Sequence, residues 1–401
     1  MKILIIIYII YVCIFEFLPK SIQTMGFLFI LFYSIYYVWI FKKQIRSIIA
    51  LDTGTKKLAN LFILFIFLSA FYLTISFANL PKLWGIKDLA FDISYIPRHF
   101  FIIAELFIPI VLSLGIYKLK LYDRMSLLIL IAFLLFLFFV VPGLNVIGLF
   151  LITISIIAWK CHCKLTMLLA FFVNYEQSSY ILGFIAMIFL LFFENSITTF
   201  LFKNTKKRII NILSISLIGI FIASGTLMYY IQEDANSLWR LNVWINEIMS
   251  LSETYFTGVG FGSAYVTDDI INQVDNSNMY FDQEGGFEGG VFLVANHCSL
   301  LNMFYRMGFL GGLLFLAMNV QIISTVVKLY RYADKKKRNL LWLFFSVFIY
   351  QTVVIFLNPG LEMMQFALSY ILCLSFLLAV IFDIQSQQKM MIDSSITKAY
   401  E

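Results

Sequence analysis

A histidine, one of three in the chain, and an arginine stand where a polar stretch runs into an apolar one, in Asn296-His297-Cys298-Ser299-Leu300-Leu301-Asn302-Met303-Phe304-Tyr305-Arg306-Met307-Gly308. A neutral imidazole, with an ordinary pKa near ~6.5, is suited to taking a proton from a hydroxyl at neutral pH. A guanidinium stays charged and grips phosphate oxygens in a bidentate way. An ionisable group at membrane depth is costly, so both are candidates for function. The bland alternative is a surface histidine at a helix start and an arginine that snorkels to an interface.

Upstream, from about Gln232 to Asn296, lies a polar stretch with ten acids and one cation, Arg240. Its first part, Asn236 to Met249, sets Leu241, Ile245 and Ile248 on one helical face and Arg240, Trp244 and Glu247 on another. That pattern suits a helix lying at a membrane surface, capped by Asn236 or Ser237. Thr257-Gly258-Val259-Gly260-Phe261-Gly262-Ser263 follows. Such a loop presents backbone N–H groups to an anion, or it is a tight turn beside packed helices. Glu284-Gly285-Gly286-Phe287-Glu288-Gly289-Gly290 reads as a hinge. The acids, with Trp239, Trp244, Tyr255, Tyr265 and Tyr280, suit either a sugar-binding surface or simple solvation of an outer loop. Neither Asp268-Asp269 nor Cys161-His162-Cys163 has the further ligands of a metal site, so neither metal nor cofactor is expected.

These residues need a scaffold, and the composition defines it. Of 401 residues, 61% are hydrophobic and only 13% charged, with a mean hydropathy of +0.90. A soluble globular chain carries about 25% charged residues, so that class is excluded. Twelve apolar spans are expected near residues 3–18, 22–41, 58–80, 99–117, 125–141, 144–159, 165–174, 179–202, 209–231, 298–327, 340–357 and 361–384. With the N-terminus inside, 23 of the 29 basic residues fall on the cytoplasmic side. Lys20, Lys82, Lys87, Arg98, Arg240 and Arg306 are left for the outer side or the membrane. No basic run is long enough for a nucleic-acid arm. Leu18-Pro19-Lys20-Ser21 holds no small-x-small cleavage site, so the first span is expected to stay attached. The chain thus divides into about nine helices in 1–231, a large outer loop at 232–296, about three helices in 297–384 and a cytoplasmic tail at 385–401.

Arg240, Trp244 and Gly258-x-Gly260-x-Gly262, with His297 ahead of Gly308-x-x-Gly311, resemble the O-antigen polymerase and O-antigen ligase superfamily of Wzy-type integral membrane glycosyltransferases. The likeness covers roughly 232–320 and, in topology, the whole chain. It departs from the ligase pattern at Cys298, where that pattern has Asn, Ser or Gln, and by lacking a Ser-Arg pair near Glu194-Asn195-Ser196. The resemblance implies an all-α integral membrane protein of about twelve transmembrane helices, with one large periplasmic loop carrying short amphipathic helices, in the bacterial inner membrane. It implies metal-independent inverting transfer of a glycan from undecaprenyl diphosphate to a sugar hydroxyl. His297 would be the general base and Arg240 would stabilise the diphosphate; Arg98, Arg306, Trp244, Gly258 and Gly260 would bind substrate. Partners would be the lipid-linked oligosaccharide, membrane lipid, a chain-length regulator and a flippase. The acceptor separates two readings: another lipid-linked repeat unit for a polymerase, the lipid A core for a ligase. A lipid-linked oligosaccharide flippase, for which Glu105 would speak, and a non-catalytic partner of a synthase complex are the competing classes.

Overall fold

The computed structural model describes residues 2–40, 42–43, 53–86, 89–96, 101–124, 143–173, 178–202, 235–265, 298–358 and 363–400. Among these residues the chain is helical without a strand, and one isolated antiparallel bridge joins Phe91 to Ser263. The longer helices are α1 (Lys2–Ile14), α2 (Lys20–Ile40), α3 (Thr53–Ser76), α4 (Phe101–Leu119), α5 (Ile147–Lys160), α6 (Ser178–Phe192), α7 (Glu194–Phe202), α8 (Ala235–Glu253), α9 (Ser299–Tyr332), α10 (Lys335–Phe356) and α11 (Met364–Tyr400). In hydrocarbon every backbone N–H and C=O needs a partner within the protein, which such apolar sequence meets by coiling.

α11 forms the centre, and residues 366–385 are all buried. Phe344 and Phe348 of α10 meet Phe376 and Tyr370 of α11 at ring distances of 5.5 and 5.9 Å. On another side Gly148 of α5 lets the backbone of Ser369 come close, and its N–H donates to Ser369 Oγ at 2.9 Å. α2 and α3 lie at the periphery with their apolar side chains outward, Trp39 69% and Phe67 72% exposed. Such a surface needs lipid rather than water around it, so this is a membrane protein.

The expected spans are met in part. Five helices among the described residues are long and apolar enough to cross a membrane: Ser21–Ile40, Gly54–Ser76, Ser299–Tyr332, Lys335–Phe356 and Phe366–Gln388. The expected fifth and ninth spans, 125–141 and 209–231, lie outside the described residues. The expected seventh is a 3-10 helix, Lys164–Phe172. The expected eighth is not one straight helix: α6 and α7 meet at Phe193 with a bend of 80°. The expected tenth is interrupted at Met307 (φ −117, ψ 17) and Gly308 (φ 64, ψ −169).

Basic residues gather at one end of the bundle and are held there by specific partners. Lys335-Lys336-Lys337-Arg338 opens α10, at the positive end of its dipole, where cations are disfavoured. Lys337 pairs with Asp383 at 2.5 Å, Lys336 lies 4.9 Å from the Trp159 ring centre, and Arg338 lies 5.2 Å from that of Tyr330. Tyr330 donates its hydroxyl to Glu194 at 2.5 Å, and Glu194 also pairs with Lys164. At the other end, Ser299 Oγ donates to the Asn358 carbonyl at 2.8 Å, and Asn358 Nδ2 to Ser179 Oγ at 2.7 Å.

Candidate functional site

At that second end, the glycine loop after α8 lies across the interruption in α9. The break releases two helix carbonyls, and the loop takes both: Val259 N–H donates to Tyr305 at 2.8 Å and Gly260 N–H to Arg306 at 3.0 Å. In return Phe309 N–H donates to the Phe256 carbonyl at 2.9 Å. Gly258 and Gly308 cross backbone on backbone; a Cβ at Gly308 would stand 2.5 Å from Phe256 O and Thr257 O. α3 holds the loop from beneath, with Ser76 Oγ accepting from Phe261 N–H at 2.7 Å and Tyr72 donating to the Thr257 carbonyl at 2.5 Å. Gly258 N–H meets Thr254 Oγ1 at 3.2 Å. The amides of residues 258 to 261 are therefore all taken by protein acceptors. Of the two readings of this loop, an anion cradle or a tight turn beside packed helices, the amide bonds of Gly258 and Gly260 match the tight turn. Left-handed φ of +90 and +77 turns their peptides onto the broken helix.

Arg306 lies under this loop and is 1% exposed. Its Nη1 donates to the carbonyls of Ser263 at 2.6 Å and Gly260 at 3.3 Å. Its guanidinium carbon lies 4.2 Å from the Tyr265 ring centre and 5.3 Å from that of Tyr305. Tyr305 in turn donates its hydroxyl to the Ala264 carbonyl at 2.6 Å. Expected as a substrate ligand or as a snorkelling residue, Arg306 here points into the protein, where inward-turned loop carbonyls and two aromatic faces are among its partners.

α8 packs its buried face, Val243, Glu247, Ser250 and Leu251, toward this knot, and leaves Ile245, Ile248 and Met249 exposed. The outward apolar face agrees with the sequence expectation for Ile245 and Ile248. Glu247 is fully buried, and its carboxylate acts on the Cys298 thiol; burial first, and then this charge, push the thiol up to about 11. Asn302, one turn before Arg306 on α9, is also fully buried. Trp244 is half-buried, its indole Nε1 enclosed without an acceptor among the described residues. Tyr265, expected to stack on sugars, is buried against Arg306, whereas Tyr255 is 81% exposed.

The structure thus joins Gly258, Gly260 and Arg306 in one contact cluster, with α8 and its Trp244 packed alongside. Arg240 lies in α8, but its side chain, like that of Trp239, is outside the described residues. Arg98, Lys87, His297, Asp268, Asp269, Tyr280 and the Glu284 to Gly290 hinge also lie outside them. Among the described residues no three His, Cys, Asp or Glu side chains gather as a metal site would require. The sequence reading passed over Tyr72 and Ser76, although Ser69, Tyr72 and Ser76 form a polar stripe at helical spacing in an otherwise apolar span. Ser69 Oγ meets Met307 Sδ at 3.3 Å, so the stripe faces the interruption. Compared with family models, curated proteins and solved structures, the chain matches none.

Proposed function

We propose that this protein is an integral membrane glycosyltransferase that extends a polysaccharide, moving the growing glycan from undecaprenyl diphosphate to a sugar hydroxyl of the next lipid-linked repeat unit. The supporting observation is that two parts of the family-like pattern, Gly258-x-Gly260-x-Gly262 and Gly308-x-x-Gly311, meet backbone on backbone at one end of a helical membrane bundle. In this reading the chain has about twelve spans in the bacterial inner membrane, with both termini cytoplasmic and the loop end periplasmic.

The acceptor oxygen forms a bond to the anomeric carbon as that carbon's bond to the diphosphate breaks. His297 takes the hydroxyl proton, and Arg240, with Arg98, stabilises the departing charge. Arg306 contributes by fixing the loop. The test uses purified protein in lipid with a lipid-linked repeat unit as sole substrate, following chain length on a gel. His297→Ala should lower turnover ~10²-fold or more and leave donor binding largely intact, while EDTA should leave the wild-type rate unchanged. Arg240→Ala should lose nearly all polymer, and Arg240→Lys should stay impaired because an ammonium lacks the bidentate grip. An active His297→Ala enzyme would remove the base assignment. A wild type that transfers glycan only when lipid A core is supplied would convert the reading to a ligase.

A further inference from the structure

At the basic end, α7 leaves the line of α6 by 80° and has three distinct sides. Toward the protein it buries Glu194 and Thr198, with Ile197 packed on Val327 of α9. A second side carries the exposed, uncharged Asn195 and Thr199, with Ser196 at its border with Phe200. A third is aromatic: Phe193 and Phe200 are 51% and 52% exposed, next to Phe192 at 60%. The acid of α7, Glu194, is withdrawn from the surface, bound by Tyr330 and Lys164. Among the described residues, exposed cations stand near the helix, namely Lys164, whose side chain is 40% exposed, and Lys328 and Arg331, both exposed on the last turns of α9 that flank Val327 and Tyr330; the exposed acid Asp334 follows beyond the end of α9.

An aromatic edge, an uncharged polar edge and a rim of cations are what a helix needs to lie in a membrane surface rich in negative headgroups. We propose that α7 is an in-plane helix that gathers anionic phospholipids at the basic end of the bundle. Phe193 and Phe200 enter the acyl region, and Lys164, Lys328 and Arg331 meet the lipid phosphates. The buried Glu194 fixes the bend, because its bonds to Lys164 and to Tyr330 tie the start of α7 to two other elements. This inference is independent of the glycosyltransferase reading and does not depend on transfer activity.

The test takes the full-length protein in nanodiscs of phosphatidylcholine alone or mixed with phosphatidylglycerol, with the five native cysteines replaced and one spin label at a time. A label in Phe200→Cys should be relaxed by oxygen, and one in Asn195→Cys, about 140° around the helix, by a water-soluble nickel chelate. Phosphatidylglycerol retained per protein should fall roughly fivefold for each charge removed in Lys328→Gln and Arg331→Gln. It should not change in Lys82→Gln, which lies toward the loop end. In the unaltered protein the same retention should fall as salt rises, a measurement that needs no variant to fold. Oxygen access at both positions would make α7 part of a crossing, and nickel access at both would make it a solvated helix; either result overturns the proposal. Indifference to phosphatidylglycerol, or dipolar broadening from a second copy seated on this face, overturns it equally.

Discussion

Gly308 combines a φ of +64 with a ψ of −169, a region that residues with a Cβ occupy only under strain, and it does so where another backbone already fills the space. Gly85, with a φ of +76, has nothing within 4 Å of where its Cβ would be. The two positions separate conformational strain from collision. Gly85→Ala should cost about 1 kcal/mol. Gly308→Ala should cost several times more, on the order of 3 kcal/mol or above, because the Phe256 and Thr257 carbonyls must also retreat. Thermal unfolding of both variants in detergent measures the difference, and equal losses would mean that the loop does not press on Gly308. Cys298 gives a second measurement at this scale. Its thiol is held up to about 11 by burial and by the Glu247 carboxylate, so thiolate is scarce at pH 8 and alkylation should be slow until the pH passes about 10. Glu247→Gln should move the alkylation profile to lower pH, because the charge that disfavours thiolate is gone. An unchanged profile would separate the two groups. The glycine spacing was legible in the sequence as a need for left-handed backbone. Which acceptors take the amides was not, because the Tyr305 and Arg306 carbonyls become available only once α9 is broken far along the chain.

At the scale of elements, apolar runs located most of the helices, since a run of about twenty residues in lipid can do little except coil. Their continuity was harder to see. Phe193-Glu194-Asn195 lies in a stretch whose average hydropathy reads as one crossing, yet Glu194 has partners on Lys164 and Tyr330 that pull the chain into a bend. An average over a window cannot register a single paired carboxylate. The same holds at Met307-Gly308, inside the apolar run expected as the tenth span, where the chain breaks and Gly308 lets the loop 256–258 come close. α8 was better legible, as its amphipathic pattern is local. Ile245 and Ile248 face out as that pattern requires, and only the burial of Glu247 against α9 depends on tertiary contacts.

For the whole molecule, the segregation of charge along the sequence has a counterpart in three dimensions. Lys160, Lys164, Lys336, Lys337 and Arg338 converge at one end through contacts with Asp123, Glu194, Asp383, Trp159 and Tyr330. The glycine loop, α8 and the start of α9 form the opposite end, tied to α10 and α6 through Asn358 and Ser179. A membrane that holds basic residues on its cytoplasmic side would orient the bundle with the loop end outward. Single cysteines test this in a background without native ones, provided that the positions are open to reagent. Ser263, at the end of the glycine loop, is only 2% exposed and would stay silent for reasons unrelated to sidedness. Glu253 at the end of α8 and Lys335 at the start of α10 are both exposed. In intact cells an impermeant maleimide should label Glu253→Cys and spare Lys335→Cys, and after permeabilisation it should label both. Labelling of Lys335→Cys alone in sealed cells would invert the molecule, placing the loop end in the cytoplasm. A carrier diphosphate presented at the outer face would then have no access to Arg240 or His297, so the orientation decides whether the proposed chemistry can occur at all.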